Sequence, residues 1–178
     1  MNKAVFLDRD GVINRKAPED DYVVKWDQFH LLPGVIEAIR NLNQAAYRVI
    51  VVTNQRAIAK NRITISELES IHRKLMEKLG EHSATIDGIY FCPHDLESEC
   101  GCRKPKPGML LRALDDFAID PQLSWMVGDS AVDIAAGIKA GCRTVLIGSV
   151  SNGLGIEIRA DFRAGDLYQA VQMILRLV

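Results

Sequence analysis

The sequence has few aromatic residues, few cysteines and almost no excess charge of either sign. Its 22 basic and 23 acidic residues leave a formal net charge of -1, which argues against a broad surface for nucleic acids. No apolar stretch approaches the roughly 20 residues of a membrane-spanning helix, and no signal pattern precedes the first apolar run. Four cysteines are too few for a disulfide framework in 178 residues. We therefore expect a cytoplasmic protein that binds neither membranes nor nucleic acids.

The remaining composition, 48% hydrophobic and 25% charged, is that of a globular protein, and the length predicts a single domain over residues 1–178. Short apolar runs that predict strands alternate with segments of helical periodicity. The predicted strands are residues 4–7, 48–52, 86–91, 124–127 and 143–147, and the predicted helices are residues 34–45, 130–140, 166–177 and segments that begin near Thr64 and Pro107. This alternation predicts an α/β fold, a doubly wound (Rossmann-like) parallel sheet flanked by helices. The connections leave no room for a separate cap domain.

Polar residues follow the predicted strands at the points where the strands end. Asp8-Arg9-Asp10-Gly11 follows the first strand, Thr53-Asn54-Gln55 the second, and Gly128-Asp129-Ser130 the fourth. The loop after the third strand contains Arg103-Lys104. Because ligands bind beyond the carboxyl ends of parallel strands, we expect these groups to meet at one site.

Two of these acids, Asp8 and Asp10, stand so close in sequence that their charges would repel each other in one pocket. A hard cation relieves such repulsion, and Mg²⁺ prefers oxygen ligands. The sequence therefore predicts a magnesium site that includes Asp8, Asp129 and a backbone carbonyl.

The same set of residues predicts phosphoryl transfer. A carboxylate at Asp8 would attack phosphorus and form an aspartyl phosphate, which divides one difficult step into two. Thr53 and the amide of Asn54 would hydrogen-bond the phosphoryl oxygens, and Lys104 would neutralise their charge.

A second candidate metal site lies in the loop after the third predicted strand. Residues 92–102 contain Cys92, His94, Cys100 and Cys102, and three cysteines with one histidine are a common ligand set for structural zinc. The loop has too few apolar residues to fold by burial, so a bound Zn²⁺ would offset the entropy cost of ordering it. A loop of reactive surface thiols is the alternative.

Four motifs in order resemble those of the haloacid dehalogenase-like phosphatases: Asp8-x-Asp10-Gly11, Thr53-Asn54, Lys104 and Gly128-Asp129-x-x-x-Asp133. Two aspartates two residues apart would by themselves be weak evidence for this family. Four motifs in order, each at a predicted strand end or loop, are strong evidence. The resemblance covers about residues 3–150. It implies that Asp8 is the nucleophile, that Asp10 is the general acid and base, and that Asp8, Asp129 and the main-chain carbonyl of Asp10 hold Mg²⁺.

Further segments resemble the group that acts on D-glycero-D-manno-heptose 1,7-bisphosphate: residues 8–14, Tyr22-Val23, residues 53–55 and residues 102–105. This resemblance implies an enzyme that releases the 7-phosphate from a small phosphorylated sugar and that carries a zinc loop. We also expect the protein to be a monomer. The substrate contacts that we expect on this basis are Arg9, Asn14, Tyr22, Asn54, Gln55, Arg56, Arg103, Lys104 and Ser130. The sequence departs from the pattern of the group at Arg56-Ala57 and Lys60-Asn61. These departures leave the catalytic residues unchanged and affect the identity of the sugar that we expect the protein to bind.

Two alternatives and one residue stay open at this point. A histidinol-phosphate phosphatase would share the catalytic residues and the zinc loop. A non-enzymatic phospho-receiver domain would share the fold and the acidic cluster, although it would gain nothing from a general acid at Asp10. Asp133 either caps its helix or belongs to the site.

Overall fold

The computed structural model, which describes residues 2–18, 21–148 and 159–177, contains one sheet of six parallel strands with helices on both faces. The strands are β1 (Ala4–Leu7), β2 (Arg48–Asn54), β3 (Gly88–Cys92), β4 (Trp125–Gly128), β5 (Arg143–Ile147) and β6 (Phe162–Ala164). The helices are α1 (Val35–Gln44), α2 (Ile65–Gly80), α3 (Gly108–Asp116), α4 (Ala131–Lys139) and α5 (Leu167–Arg176). The strand order β3-β2-β1-β4-β5-β6 confirms the predicted doubly wound fold.

Alternate residues of the central strand enter two separate hydrophobic cores. Val5 and Leu7 of β1 pack with α1, α2 and α5, whereas Ala4 and Phe6 pack with α3 and α4. All four residues are completely buried. A strand that is covered on both faces needs apolar residues at consecutive positions, which is why the sequence shows continuous apolar runs.

The structure moves the bounds of β3 and β4 by one or two residues and corrects two larger details of the predicted sheet. β2 continues to Asn54, because Asn54 still pairs with Cys92 of β3. A sixth strand, β6, lies at the edge beside β5 and is not predicted from the sequence. Its three residues are half-buried or exposed, so it has no apolar run to reveal it.

The sheet brings the ends of three strands together. β1 lies between β2 and β4, and Leu7 is in register with Val51 and Val127. The residues that follow these positions therefore share one edge. In the described part of the chain, β1 and β2 are connected by a 3-10 turn and α1, and β2 and β3 by α2, with no cap domain. None of the described helices combines the length and apolar character needed to cross a membrane.

Candidate active site

A buried lysine joins two carboxylates at this edge of the sheet. Nζ of Lys104 lies 2.7 Å from Oδ1 of Asp8 and 2.7 Å from Oδ1 of Asp133, and it donates a 2.7 Å hydrogen bond to the carbonyl of Val52. Lys104 is 3% exposed and Asp133 is 1% exposed. Burial alone would lower the pKa of Lys104, but Asp133 and Asp8 raise it above its usual value. Lys104 is therefore a permanent cation in contact with Asp8.

The acidic groups around Lys104 carry more negative charge than one ammonium neutralises. Carboxylate oxygens of Asp8, Asp129 and Asp133 lie within 4.8 Å of one another. Burial, opposed by the charge of Lys104 and assisted by those of Asp133 and Asp10, raises the pKa of Asp8 to about 7. A cluster of oxygen donors with an unfavourable excess of negative charge fits a hard divalent cation.

A second lysine, which the sequence did not single out, contacts the third member of this cluster. Nζ of Lys16, in the loop after β1, lies 2.6 Å from Oδ2 of Asp129, and the Lys16 side chain is half-exposed. Gly11 makes this approach possible. Its φ is +94°, and a Cβ at this position would stand 1.9 Å from Oδ2 of Asp129.

The side chain of Asp10 is surrounded by hydrogen-bond donors. Arg9 and Asn14 donate to Oδ1 at 2.9 and 2.8 Å, and Gln55 donates to Oδ2 at 3.0 Å. Burial would raise the pKa of Asp10, but the charge of Arg9 and these three hydrogen bonds lower it below its usual value. The structure thus holds the Asp10 carboxyl firmly in one orientation.

Arg9 reaches Asp10 from inside the protein. Its side chain is 1% exposed, its guanidinium carbon lies 5.6 Å from the centre of the Phe29 ring, and Nη1 lies 3.4 Å from Nε2 of His72. Burial and the charge of Arg9 lower the pKa of His72 to about 3, so this ring is neutral. The guanidinium thus supports the Asp10 carboxyl from the interior, and the contact between Arg9 and a substrate stays a prediction.

The end of β2 is tied to the backbone around Lys104. The Asn54 side chain donates from Nδ2 to the carbonyl of Lys104 and accepts from its N–H, both at 3.1 Å. Gln55 donates from Nε2 to Oγ1 of Thr53 at 2.9 Å. Asn54 therefore fixes the segment that carries the buried ammonium.

Asp133 has both of the roles between which the sequence could not decide: it caps α4 and it belongs to the cluster around Lys104. Its Oδ2 accepts hydrogen bonds from the backbone N–H and the hydroxyl of Ser130, which caps the first turn of α4. Its Oδ1 pairs with Lys104. The hydroxyl of Ser130 donates to this cap, and its expected contact with substrate stays a prediction.

A cavity of about 200 Å³ opens beside Asp10. Four of the expected substrate residues line it: Arg9, Tyr22, Asn54 and Gln55. Lys16 also lines it, whereas Arg56 and Arg103 are not among the described residues of its wall. The cavity gives a small polar molecule access to the edge where the acidic cluster lies.

The cysteine and histidine side chains of the predicted metal loop converge on one point. Their four donor atoms lie within 4.8 Å of one another. Sγ of Cys92 is 3.8 Å from Sγ of Cys100, and Nδ1 of His94 is 3.5 Å from Cys92 and 3.3 Å from Cys102. A tetrahedral zinc with Zn–S distances of about 2.3 Å places two sulfurs about 3.8 Å apart. The ligand set therefore fits zinc in chemistry and in spacing.

The thiols of this cluster also need a cation in order to ionise together. Burial and the neighbouring sulfurs of Cys92 and Cys100 raise the pKa of Cys102 to about 12. All four cysteines of the chain are free thiols, so no disulfide removes this repulsion. Metal binding deprotonates cysteine ligands and removes this cost.

Comparison with known proteins identifies relatives over most of the chain. Residues 2–141 match the family model described as haloacid dehalogenase-like hydrolase. A protein of Haemophilus influenzae named D-glycero-beta-D-manno-heptose-1,7-bisphosphate 7-phosphatase is 42% identical over 79% of this chain and 78% of its own length. A protein of Mycobacterium tuberculosis named for the alpha anomer is 41% identical over 84% of this chain and 81% of its own length.

A solved structure is also similar over its whole length. It is the crystal structure of D,D-heptose 1,7-bisphosphate phosphatase from B. bronchiseptica complexed with magnesium and phosphate. It is 32% identical, covers 100% of both chains and superimposes with a TM-score of 0.88.

Proposed function

The chain belongs to the haloacid dehalogenase-like hydrolases, and from this membership and the site we propose that it hydrolyses the 7-phosphate of D-glycero-D-manno-heptose 1,7-bisphosphate. The observation that carries the proposal is the contact between Asp8 and the buried Lys104 at the carboxyl edge of the sheet. This arrangement offers a carboxylate nucleophile with a fixed positive charge beside it, as phosphoryl transfer requires. The heptose comes from the relatives, which are about 40% identical over most of the chain.

In this proposal, Asp8 attacks the phosphorus atom and forms an aspartyl phosphate while the sugar oxygen leaves. Lys104 holds the attacking carboxylate and offsets the charge of the phosphoryl group. Mg²⁺ held by Asp8, Asp129 and the main-chain carbonyl of Asp10 would supply further positive charge that keeps Asp8 ionised. Thr53 and Asn54, at the end of β2, would hydrogen-bond the phosphoryl oxygens.

Asp10 has the second role, which is to move protons. It would protonate the leaving sugar oxygen and then deprotonate the water that hydrolyses the aspartyl phosphate. Without a substrate, Arg9, Asn14 and Gln55 favour the ionised form of Asp10, which is the form that the second step needs. The negative charge of a bound phosphate would raise the pKa of Asp10, which is what the first step needs.

Specificity for a sugar with two phosphates would come from the loops around the cavity. Tyr22, Asn54 and Gln55 line it. Arg103 follows the metal ligand Cys102 and donates from Nη1 to the carbonyl of His94 at 3.1 Å, so the metal loop orients it. A structural Zn²⁺ held by Cys92, His94, Cys100 and Cys102 would keep this loop in place.

The experiment measures phosphate release and the position of the remaining phosphate by NMR. The substrates are the alpha and beta anomers of the heptose bisphosphate and histidinol phosphate, each with Mg²⁺. Both anomers belong in the assay because relatives named for either one are equally similar. The proposal predicts loss of the 7-phosphate and a much higher kcat/KM for the heptose.

Two outcomes would contradict the proposal. A higher kcat/KM for histidinol phosphate would assign the chain to that activity. A long-lived phosphoprotein that releases no phosphate would indicate a receiver domain. We also propose that the protein is a monomer in the cytoplasm, which gel filtration and cell fractionation would test.

A further inference from the structure

An acidic residue of the metal loop holds two cations of the loop between β2 and α2. Oδ1 of Asp95 lies 2.5 Å from Nε of Arg56, and Oδ2 lies 2.7 Å from Nζ of Lys60. Asp95 directly follows the candidate metal ligand His94, and Arg56 directly follows Gln55 of the cavity wall. Asp95 therefore connects the metal loop with the loop that borders the cavity.

The two loops are also joined on either side of this ion pair. The backbone N–H of Gln55 donates to the carbonyl of the metal ligand Cys92 at 2.8 Å. At the other end of the metal loop, the Asn54 side chain forms its two hydrogen bonds with the backbone of Lys104. Both ends and the middle of the metal loop thus contact the same short segment, Asn54-Gln55-Arg56. The metal loop and this segment are therefore joined at three points.

Asp95 binds Arg56 in a way that leaves its anion-binding edge available. The ion pair uses Nε, and within the described residues Nη1 and Nη2 of Arg56 make no hydrogen bond. The two terminal nitrogens of a guanidinium form a planar fork that matches a phosphate group. Lys60 adds a second positive charge on the same carboxylate, so Asp95, Arg56 and Lys60 together carry a net charge of about +1. Asp95 orients both cations without neutralising them.

We propose that Asp95 is a positioning residue, which uses the metal-bound loop to hold Arg56 and Lys60 for the phosphate of the substrate that is not hydrolysed. The inference rests on the proposed function. It concerns positions at which this chain departs from the pattern expected for its group, Arg56-Ala57 and Lys60-Asn61.

The test removes the negative charge of Asp95 and keeps the size and shape of the side chain. Asp95→Asn retains an oxygen for the backbone N–H of Leu96, which donates to Oδ1 at 2.6 Å, so the turn of the loop is preserved. Glu97→Gln is the matched control, because Glu97 is an exposed acid of the same loop that makes no ion pair with any described residue. Each variant is assayed with the heptose bisphosphate and with an aryl monophosphate, which has no second phosphate.

We expect Asp95→Asn to raise KM for the bisphosphate about 10-fold. An effect of this size corresponds to the weakening of one charge-assisted hydrogen bond to the substrate. The kcat value should change less than about 2-fold, and kinetics with the aryl phosphate should not change. Glu97→Gln should match the wild type with both substrates. The metal content of every protein, measured by mass spectrometry of the elements, should be equal.

Removal of the metal from the metal loop provides a second test of the proposal. A zinc chelator that leaves Mg²⁺ in place should raise KM for the bisphosphate in both proteins. The increase should be smaller in Asp95→Asn, because the contribution of Arg56 and Lys60 is already lost in that variant. Equal KM changes for the two substrates, a lower KM in Asp95→Asn, or loss of metal from that variant would overturn the proposal. If the wild type hydrolyses the aryl phosphate but not the bisphosphate, the proposed function itself has failed and this inference fails with it. If the wild type hydrolyses both and Asp95→Asn is unchanged, only the inference has failed.

Discussion

Replacing His72 by glutamine is expected to make folding less sensitive to mild acid. His72 is 4% exposed, and burial and the charge of Arg9 lower its pKa to about 3 from 6.5. Between these two values the unfolded chain binds a proton that the folded protein does not bind. The free energy of unfolding therefore has its full value above about pH 6.5 and falls as the pH decreases toward 3.

The size of the effect follows from the two pKa values. Proton linkage with a folded pKa of about 3 and an unfolded pKa of 6.5 gives a loss of about 2 kcal/mol between pH 7.5 and pH 5. The loss grows to about 3 kcal/mol at pH 4. Glutamine does not titrate, and its side-chain oxygen can still accept a hydrogen bond from Nη1 of Arg9.

The assay is urea unfolding of the wild type and His72→Gln at several pH values, followed by circular dichroism. Other groups titrate equally in both proteins, so only the difference between their free energies of unfolding is used. That difference should shift in favour of the variant by about 2 kcal/mol from pH 7.5 to pH 5. A difference that stays constant over this range would refute the buried, neutral state of His72. His82→Gln, at an exposed histidine, is the matched control for the loss of a histidine.

Three further changes test the site. Asp8→Asn should lower kcat at least about 1000-fold and leave the fold intact, because it removes the nucleophile but not the shape of the side chain; a variant with substantial activity would contradict the role of Asp8. Lys104→Met leaves Asp8 and Asp133 without their shared cation. The change should lower the free energy of unfolding by about 3 kcal/mol at pH 8, measured by urea unfolding. Unchanged stability would mean that the two ion pairs have little effect. Elemental analysis should find about one zinc per chain, and a chelator should lower the melting temperature; reduced, unchelated protein without zinc would contradict the metal loop.

The central strands and the functional groups at their ends could be predicted from the sequence, because each apolar run is followed directly by the polar residue of the site. Continuous apolar residues indicate a strand covered on both faces, and the polar residue directly after each one must lie at the edge of the sheet. The structure accordingly brings Asp8 and Asp129 within 4.8 Å. The four candidate ligands of the metal loop can be recognised equally well, since their spacing is local.

Contacts between loops could not be predicted in this way. Lys16, Asp95 and His72 have no spacing pattern that connects them with Asp129, Arg56 or Arg9, because their contacts depend on the paths of separate loops and on the rotation of α2. The position of Arg9 illustrates the difference. Its place between Asp8 and Asp10 predicts a substrate contact, but nothing in the sequence reveals that its side chain also contacts Phe29 and His72.

The most direct test of the account is to identify the group that becomes phosphorylated during turnover. Enzyme that is hydrolysing the heptose bisphosphate is quenched in acid and treated with borohydride, which reduces an aspartyl phosphate to homoserine, and peptides are analysed by mass spectrometry. The account predicts that Asp8 is converted when substrate is present and is intact when it is absent. Efficient turnover without any conversion of Asp8, or conversion of Asp10 in its place, would contradict it.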